Sequence, residues 1–181
     1  MIKKLTIPVD HGNRNMKTTH FLFTTGLSST DRKPAGREDF LQTDGKYYVL
    51  SGKRIPYQRD KTQDERFSIL TRFAIAKELE RTGQVTEEDV VQVSLPIGVP
   101  PKHYAELAER YREYFLGDGK VQELVYNGKT YHTCIQDVAV YPQAYAAMMT
   151  EGEKIRQIPK AVGIDIGGFT SDFLLMRSGS P

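Results

Sequence analysis

The chain of 181 residues contains one cysteine, Cys134, so no intramolecular disulfide can form and a disulfide-stapled extracellular scaffold is excluded. No stretch approaches the ~18 apolar residues of a membrane span, and the opening MIKKLTIPVD lacks the apolar run of a secretory signal. These absences imply a reducing, cytoplasmic setting without membrane contact. An excess of one charge is also lacking. The 25 Lys and Arg stand against 23 Asp and Glu, a net charge of +2, which speaks against direct nucleic-acid binding. No repeat of fixed period recurs, and a lone Cys134 with His132 two residues away lacks the remaining ligands of a zinc site.

What is present is an ordinary globular composition. Apolar residues make up 39% of the chain, enough for the core of one domain or two small ones. Residues 1–63 carry 12 basic and 6 acidic side chains, and residues 64–181 carry 13 and 17. The asymmetry suits either steering of an anionic ligand or neighbour, or a solvated basic loop. The basic residues Arg32, Lys33, Arg37, Lys46, Lys53, Arg54, Arg59 and Lys61 lie among Gly, Pro, Ser and Thr, which predicts exposed loop.

Alternation at Ile2, Leu5, Ile7 and Val9 predicts a first strand running into the turn Asp10-His11-Gly12-Asn13, with Thr18–Thr25 as the returning strand of a hairpin. A polar loop of about 20 residues follows, then a short strand at Lys46–Leu50. The 3.6-residue period of Phe67, Leu70, Phe73, Ala74 and Leu79 predicts a helix from Asp64 to Arg81, stopped by Gly83. Val90–Leu95, closed by Pro96 and Gly98, reads as a buried strand. Pro101 opens a helix carrying Tyr104, Leu107, Tyr111 and Phe115 on one stripe. Asn127-Gly128 predicts a hairpin between 120–126 and 129–140, Pro142–Thr150 a helix, and Gly167-Gly168 a turn between strands 161–166 and 169–176.

The chemistry concentrates in two turns at opposite ends of the chain. Asp10-His11-Gly12 and Asp165-Ile166-Gly167 each place a carboxylate at the end of an apolar strand, with glycine two residues later. A glycine lets the backbone approach a phosphate oxygen, successive N–H groups form an anion cradle, and the carboxylate holds magnesium through water. Lys17 returns seven residues after Asp10, within reach of a phosphate. The second turn adds Thr170 and Asp172. Asp-x-Gly also occurs in hairpins for purely conformational reasons, so each turn alone is weak evidence. His11 reads as an exposed turn residue, while His20 and His103 carry no signal.

On these residues the chain resembles the actin-like ATPases, which share a ribonuclease H-like fold with DnaK-type chaperones and sugar kinases. V-D-H-G-N-R-N-M-K-T (9–18) and G-I-D-I-G-G-F-T-S-D (163–172) are similar to the family's two phosphate motifs. S-L-P-I-G-V-P-P-K-H-Y (94–104) and V-A-V-Y-P-Q-A-Y-A-A (138–147) are similar to segments of the bacterial plasmid-segregation (ParM/StbA-type) group. The resemblance implies an α/β fold, a mixed sheet flanked by helices. It implies that Asp10 and Asp165 order Mg2+ through water, and that Gly12, Asn13 and Lys17 meet the phosphates of ATP or GTP. Gly167, Gly168 and Thr170 would cradle the γ-phosphate, and Gln143, at the mouth of the Pro142 helix, would orient the attacking water. A glutamine suits that task without a shifted pKa. The alternative for Gln143 is a helix-start residue bonded to backbone.

The family places nucleotide between two domains, and this chain ends nine residues after Asp172. The expectation is therefore a first domain, 1–158, followed by 159–181 as the opening hairpin of a second domain whose remainder is absent. That hairpin would expose Ile164, Ile166, Phe173, Leu174 and Leu175. A fragment, a partner-completed assembly and a short protein with the hairpin folded back are all compatible, and each implies weak or no nucleotide binding by the chain alone. The implied parent function is ATP-driven filament formation by self-association, for plasmid segregation through an adaptor on plasmid DNA or for intracellular positioning. The alternatives are a sugar or small-molecule kinase of the same fold, against which Gln143 speaks because it is no base at neutral pH, and a non-catalytic actin-like binding module.

Overall fold

The computed structural model describes residues 1–36 and 39–180, and Arg37 of the basic segment lies outside them. In chain order the strands and helices are β1 (Ile2–Thr6), β2 (Asp10–His11), β3 (Asn15–Lys17), β4 (Leu22–Thr24), β5 (Leu27–Thr30), β6 (Phe40–Thr43), β7 (Lys46–Leu50), α1 (Arg66–Thr82), β8 (Val90–Val99), α2 (Tyr104–Leu116), β9 (Gln122–Tyr126), β10 (Lys129–Pro142), α3 (Tyr145–Met149), α4 (Gly152–Arg156), β11 (Lys160–Ile166) and β12 (Ser171–Arg177). Seven strands form one mixed sheet in the order β1-β8-β10-β9-β6-β7-β5. β1 and β10 run parallel to β8, and the other pairs are antiparallel. This is the mixed, helix-flanked α/β architecture that the sequence implies. None of the helices is long and apolar enough to cross a membrane.

β8 is an interior strand, paired with β1 on one side and β10 on the other. Val91, Val93, Leu95, Ile97 and Val99 are all buried, alternating with partly exposed residues. The strand runs on through Pro96 and Gly98 instead of closing there, because Pro96 still supplies its carbonyl to the Val9 N–H (2.9 Å). Helix α1 buries Phe67, Leu70, Phe73, Ala74 and Leu79. Asp64 accepts the Arg66 N–H (2.9 Å) at its start, and Gly83 adopts a left-handed φ of 60° at its end. Pro101 opens a short 3-10 turn that leads into α2, whose Leu107, Tyr111 and Phe115 are buried. Asn127 and Gly128, both at positive φ, make the hairpin between β9 and β10.

The amino-terminal hairpin differs from the expectation. β1 pairs with β8 in the large sheet, and a separate three-stranded sheet, β2-β3-β4, follows. The returning strand begins at Asn15, so the turn is Gly12-Asn13-Arg14, and Thr18–Phe21 is a second turn rather than strand. Its cause is the buried carboxylate of Glu78 on α1. That group accepts from the Thr18 hydroxyl (2.6 Å), the His20 N–H (3.0 Å) and His20 Nδ1 (2.8 Å), and draws this backbone out of the ladder. His20, silent in the sequence, thus has a structural role. The expected polar loop contains β5 and β6, whose short, polar sequences carry little strand signal.

Two further corrections concern the carboxy-terminal third. Pro142 ends β10 instead of opening a helix: it pairs with Val99, and the Gln143 N–H then donates to the Val99 carbonyl (2.8 Å). The helix starts only at Tyr145, after Ala144 at φ 65°. In the hairpin β11–β12, Ile164, Ile166, Phe173 and Leu175 are exposed as expected, but Leu174 is buried with Met176 against Ile155 of α4. Strand alternation explains this, since Leu174 faces opposite to Phe173 and Leu175.

Candidate functional site

β2 and β3 place Asp10 directly opposite Lys17, and the Lys17 ammonium pairs with Asp10 Oδ2 at 3.0 Å. This hydrogen bond, Asp10's charge and the more distant charge of Asp165 together raise the Lys17 pKa, against the opposing effect of burial. The turn between them is tight. A Cβ on Gly12 would overlap the Asn15 carbonyl. The Thr25 hydroxyl donates to the Gly12 carbonyl (2.6 Å) and the Thr25 N–H to that of Arg14 (3.0 Å), so Thr25, just after β4, fixes the turn from behind.

The second turn closes with the Gly167 N–H donating to the Thr170 carbonyl (2.8 Å), and the Thr170 hydroxyl reaches toward Asp172 (3.4 Å). Asp165 and Asp172 are paired across β11 and β12. The tips of the two turns meet: a Cβ on Gly168 would stand 2.6 Å from the Arg14 Cβ. Phe169 packs on Tyr57 (5.8 Å between ring centres) and under the Arg54 guanidinium (4.9 Å).

One cavity of about 490 Å3 is bordered by both turns, by Asp10, Asn13, Lys17, Asp165, Thr170 and Asp172, and by Gln143. Gln143 stands beside Gly98, where a Cβ would press to 3.0 Å from its Cγ; the absent side chain makes room for it. Its main chain is anchored on Val99, while its side-chain amide makes no hydrogen bond to protein among the described residues. Every site residue named from sequence therefore faces this single cavity, Gly12, Gly167 and Gly168 included. Gln143 does so from a strand end and not from a helix mouth.

A family model described as actin like proteins N terminal domain matches residues 8–145. The chain belongs to the actin-like proteins. Among solved structures, this actin-like chain superposes on the AlfA filament bound to AMPPNP with a TM-score of 0.70 and 16% identity, covering 98% of this chain and 66% of that one. An archaeal actin homologue, Ta0583, gives 0.72 and 21%, covering 96% and 57%. The apo ParM protein of pSK41 gives 0.75 and 13%, covering 98% and 63%. The actin-like chain thus spans about three-fifths of the length of these structural relatives. No curated protein matches it in sequence.

In and behind the cavity wall of the actin-like chain stand residues that carried no signal in its sequence: Lys61 and His103 border the cavity, while His11 does not. Lys61, predicted in exposed loop, is 3% exposed; its ammonium donates to the His11 carbonyl and lies 5.5 Å from the centre of the Phe67 ring. Burial pushes its pKa down to about 8, against the pull of Asp10 and Asp172. His11 is fully buried instead of exposed, stacked on Phe115 (4.5 Å) and bonded through Nε2 to the Thr71 hydroxyl (2.7 Å). Burial, and then the charge of Lys61, hold its pKa well below the usual histidine value. His103 also borders the cavity and meets Arg59 (3.0 Å). A hydrophobic flank on His11 or Lys61 would have flagged them; their neighbours are polar, and burial arises only when α1 and α2 close over the turn. Cys134 is buried in β10.

Proposed function

We propose that the cavity between the two aspartate-led turns binds a nucleoside triphosphate with magnesium, and that the chain is the first part of an actin-like ATPase that assembles into filaments. In this reading residues 1–158 form the first domain and 159–181 open the second. The observation that carries it is the convergence of the two turns, from opposite ends of the sequence, on one cavity shared with Lys17 and Gln143. Neighbours described as an AMPPNP-bound filament and as an ADP complex support it. Plasmid segregation through an adaptor bound to plasmid DNA, or positioning of another cargo, is the biological role that fits such a filament.

The backbone N–H groups of Gly12, Asn13, Gly167 and Gly168 would face phosphate oxygens, with Lys17 as a point charge and Thr170 as a hydroxyl donor. Magnesium fits this donor set through water. Asp10 and Asp165 border the cavity, whereas no cluster of three or more His, Cys, Asp or Glu able to hold a bare ion occurs among the described residues. When bound, it neutralises phosphate charge. Gln143, with its amide free of protein partners, would orient a water in line with the terminal phosphate by donating and accepting, with no proton to abstract itself. Positioning and charge neutralisation suffice for this chemistry.

Amide NMR of the chain titrated with Mg-AMPPNP tests the reading. The amides of Gly12 and Asn13 and those of Gly167 and Gly168 should shift together, with a dissociation constant weaker than micromolar, because a triphosphate clasped by two turns alone stays largely hydrated. Movement of one turn without the other, or of neither at millimolar nucleotide, would sink the reading.

A further inference from the structure

Among the described residues Lys61 is the one buried lysine or arginine, and it borders the cavity. The segment that carries it is braced. Asp60 accepts from the Thr62 N–H (2.9 Å), the Thr62 hydroxyl (2.7 Å) and the Arg110 guanidinium (2.7 Å), while the Lys61 N–H donates to the Tyr111 hydroxyl (3.1 Å). These bonds tie the backbone to α2 and send the Lys61 side chain inward beneath the first turn.

An ammonium has three N–H donors, and the His11 carbonyl is its only hydrogen-bond acceptor among the described residues. Lys17 differs: it is half exposed at the rim and already neutralised by Asp10 at 3.0 Å. Asp10 of the first turn and Asp172 beside the second both act on Lys61 through space, which sets it where the turns converge. A buried cation with unspent donors is unfavourable unless an anion completes its shell. In the nucleotide reading Gly167, Gly168 and Thr170 cradle the γ-phosphate, so the point where the turns converge would be the seat of the terminal phosphate.

Resting on the nucleotide reading above, we propose that Lys61 is a ligand of the terminal phosphate, reaching it from beneath the first turn, and that it sets a preference for nucleoside triphosphate over diphosphate. It acts as a fixed positive charge, neither base nor nucleophile.

The test uses the 181-residue chain with 13C-labelled lysine, the Lys61 ε-methylene signal being identified by its loss in Lys61→Met. Mg-AMPPNP should move the Lys61 and Lys17 signals, and Mg-ADP that of Lys17 alone. Lys61→Met should weaken AMPPNP about tenfold or more, the range of a charge-assisted hydrogen bond, and ADP by less than about threefold. A Lys61 signal that stays still while the Gly12 and Gly168 amides move overturns the proposal and leaves the nucleotide reading standing; so does equal weakening of both nucleotides. If AMPPNP moves neither turn, the nucleotide reading falls and this proposal with it. Should Lys61→Met fail to fold, loss of the signal in Lys61→Arg identifies it, and the response of that signal in the wild-type chain decides.

Discussion

Replacing Lys61 by methionine removes a buried charge and keeps most of the side chain's volume, which makes it a direct probe of the electrostatics under the first turn. Burial brings the ammonium from its ordinary 10.5 to about 8. Each unit of depression corresponds to about 1.4 kcal/mol, so the charged form opposes folding by about 3 kcal/mol wherever both states are protonated, below about pH 8. Between about pH 8 and 10.5 the unfolded chain binds more protons than the folded one, so this group's unfavourable contribution fades as pH rises. Methionine does not titrate. The stability difference, variant minus wild type, should therefore fall by about 3 kcal/mol from pH 7 to the top of that window. The lost bond to the His11 carbonyl subtracts about 1 kcal/mol at every pH. The variant should lead by about 2 kcal/mol at neutral pH and trail by about 1 kcal/mol in the alkaline limit. Tyr111, Tyr114 and Tyr131, which burial pushes up to about 12, lower stability above about pH 10 in both proteins, so their effect cancels. Urea denaturation followed by far-ultraviolet circular dichroism across this range measures the difference. A gap that is level with pH, or a variant less stable than wild type at neutral pH, refutes the reasoning.

Three other expectations follow from the geometry. Gly168→Ala drives a methyl against the Arg14 Cβ and should cost about 1 kcal/mol of stability, with Arg14→Gly, which removes that Cβ, restoring most of it; additive losses in the double-mutant cycle would disprove the contact. Glu78→Ala strips three donors of their buried acceptor and should cost about 2–3 kcal/mol at neutral pH. Its hydrogen bonds to Thr18 and His20 hold the Glu78 carboxyl below its ordinary 4.5, despite burial. That stabilisation is therefore full above this value and fades as acid carries the pH below it, so thermal melts of wild type and variant should converge in acid. On the hairpin β11–β12, Val162 lies opposite Leu175 and Ile164 opposite Phe173, all exposed. This apolar face should bind a hydrophobic dye, and Ile164→Lys with Phe173→Glu should abolish dye binding without lowering the melting temperature; unchanged fluorescence would count against it.

Local pattern made much of the fold legible. α1 and α2 announce themselves by apolar spacing and by Asp64, Gly83 and Pro101, and Asn127-Gly128 fixes its hairpin by conformational demand alone. β5 and β6 escaped because Leu27–Thr30 and Phe40–Thr43 are short and flanked by turn-like residues. β6 turns directly into β7 through Asp44-Gly45, but β5 pairs with β7 and β6 with β9 only across segments distant in the chain. The helix expected at Pro142 failed for a similar reason. Its composition favours helix, but the ladder to β8 holds the backbone extended through Pro142 and onward to Gln143.

The site shows the same division. Asp10, Gly12, Lys17, Asp165 and Gly167 are named by short-range chemistry, because two aspartate-led glycine turns occur in one chain, the first with a returning lysine and the second with Thr170 and Asp172. Lys61 and His11 have no such signature. They became buried, perturbed groups only when two helices closed over a turn, since burial is a property of what surrounds a residue and not of its neighbours in sequence. The amino-acid order by itself determined the two aspartate-led turns, helices α1 and α2, and the family. That the turns share one cavity, and that a lysine lies beneath it, was decided by the tertiary structure alone, because among the described residues the two turns meet through packing, Gly168 against Arg14 and Phe169 on Tyr57, and not through a shared strand ladder.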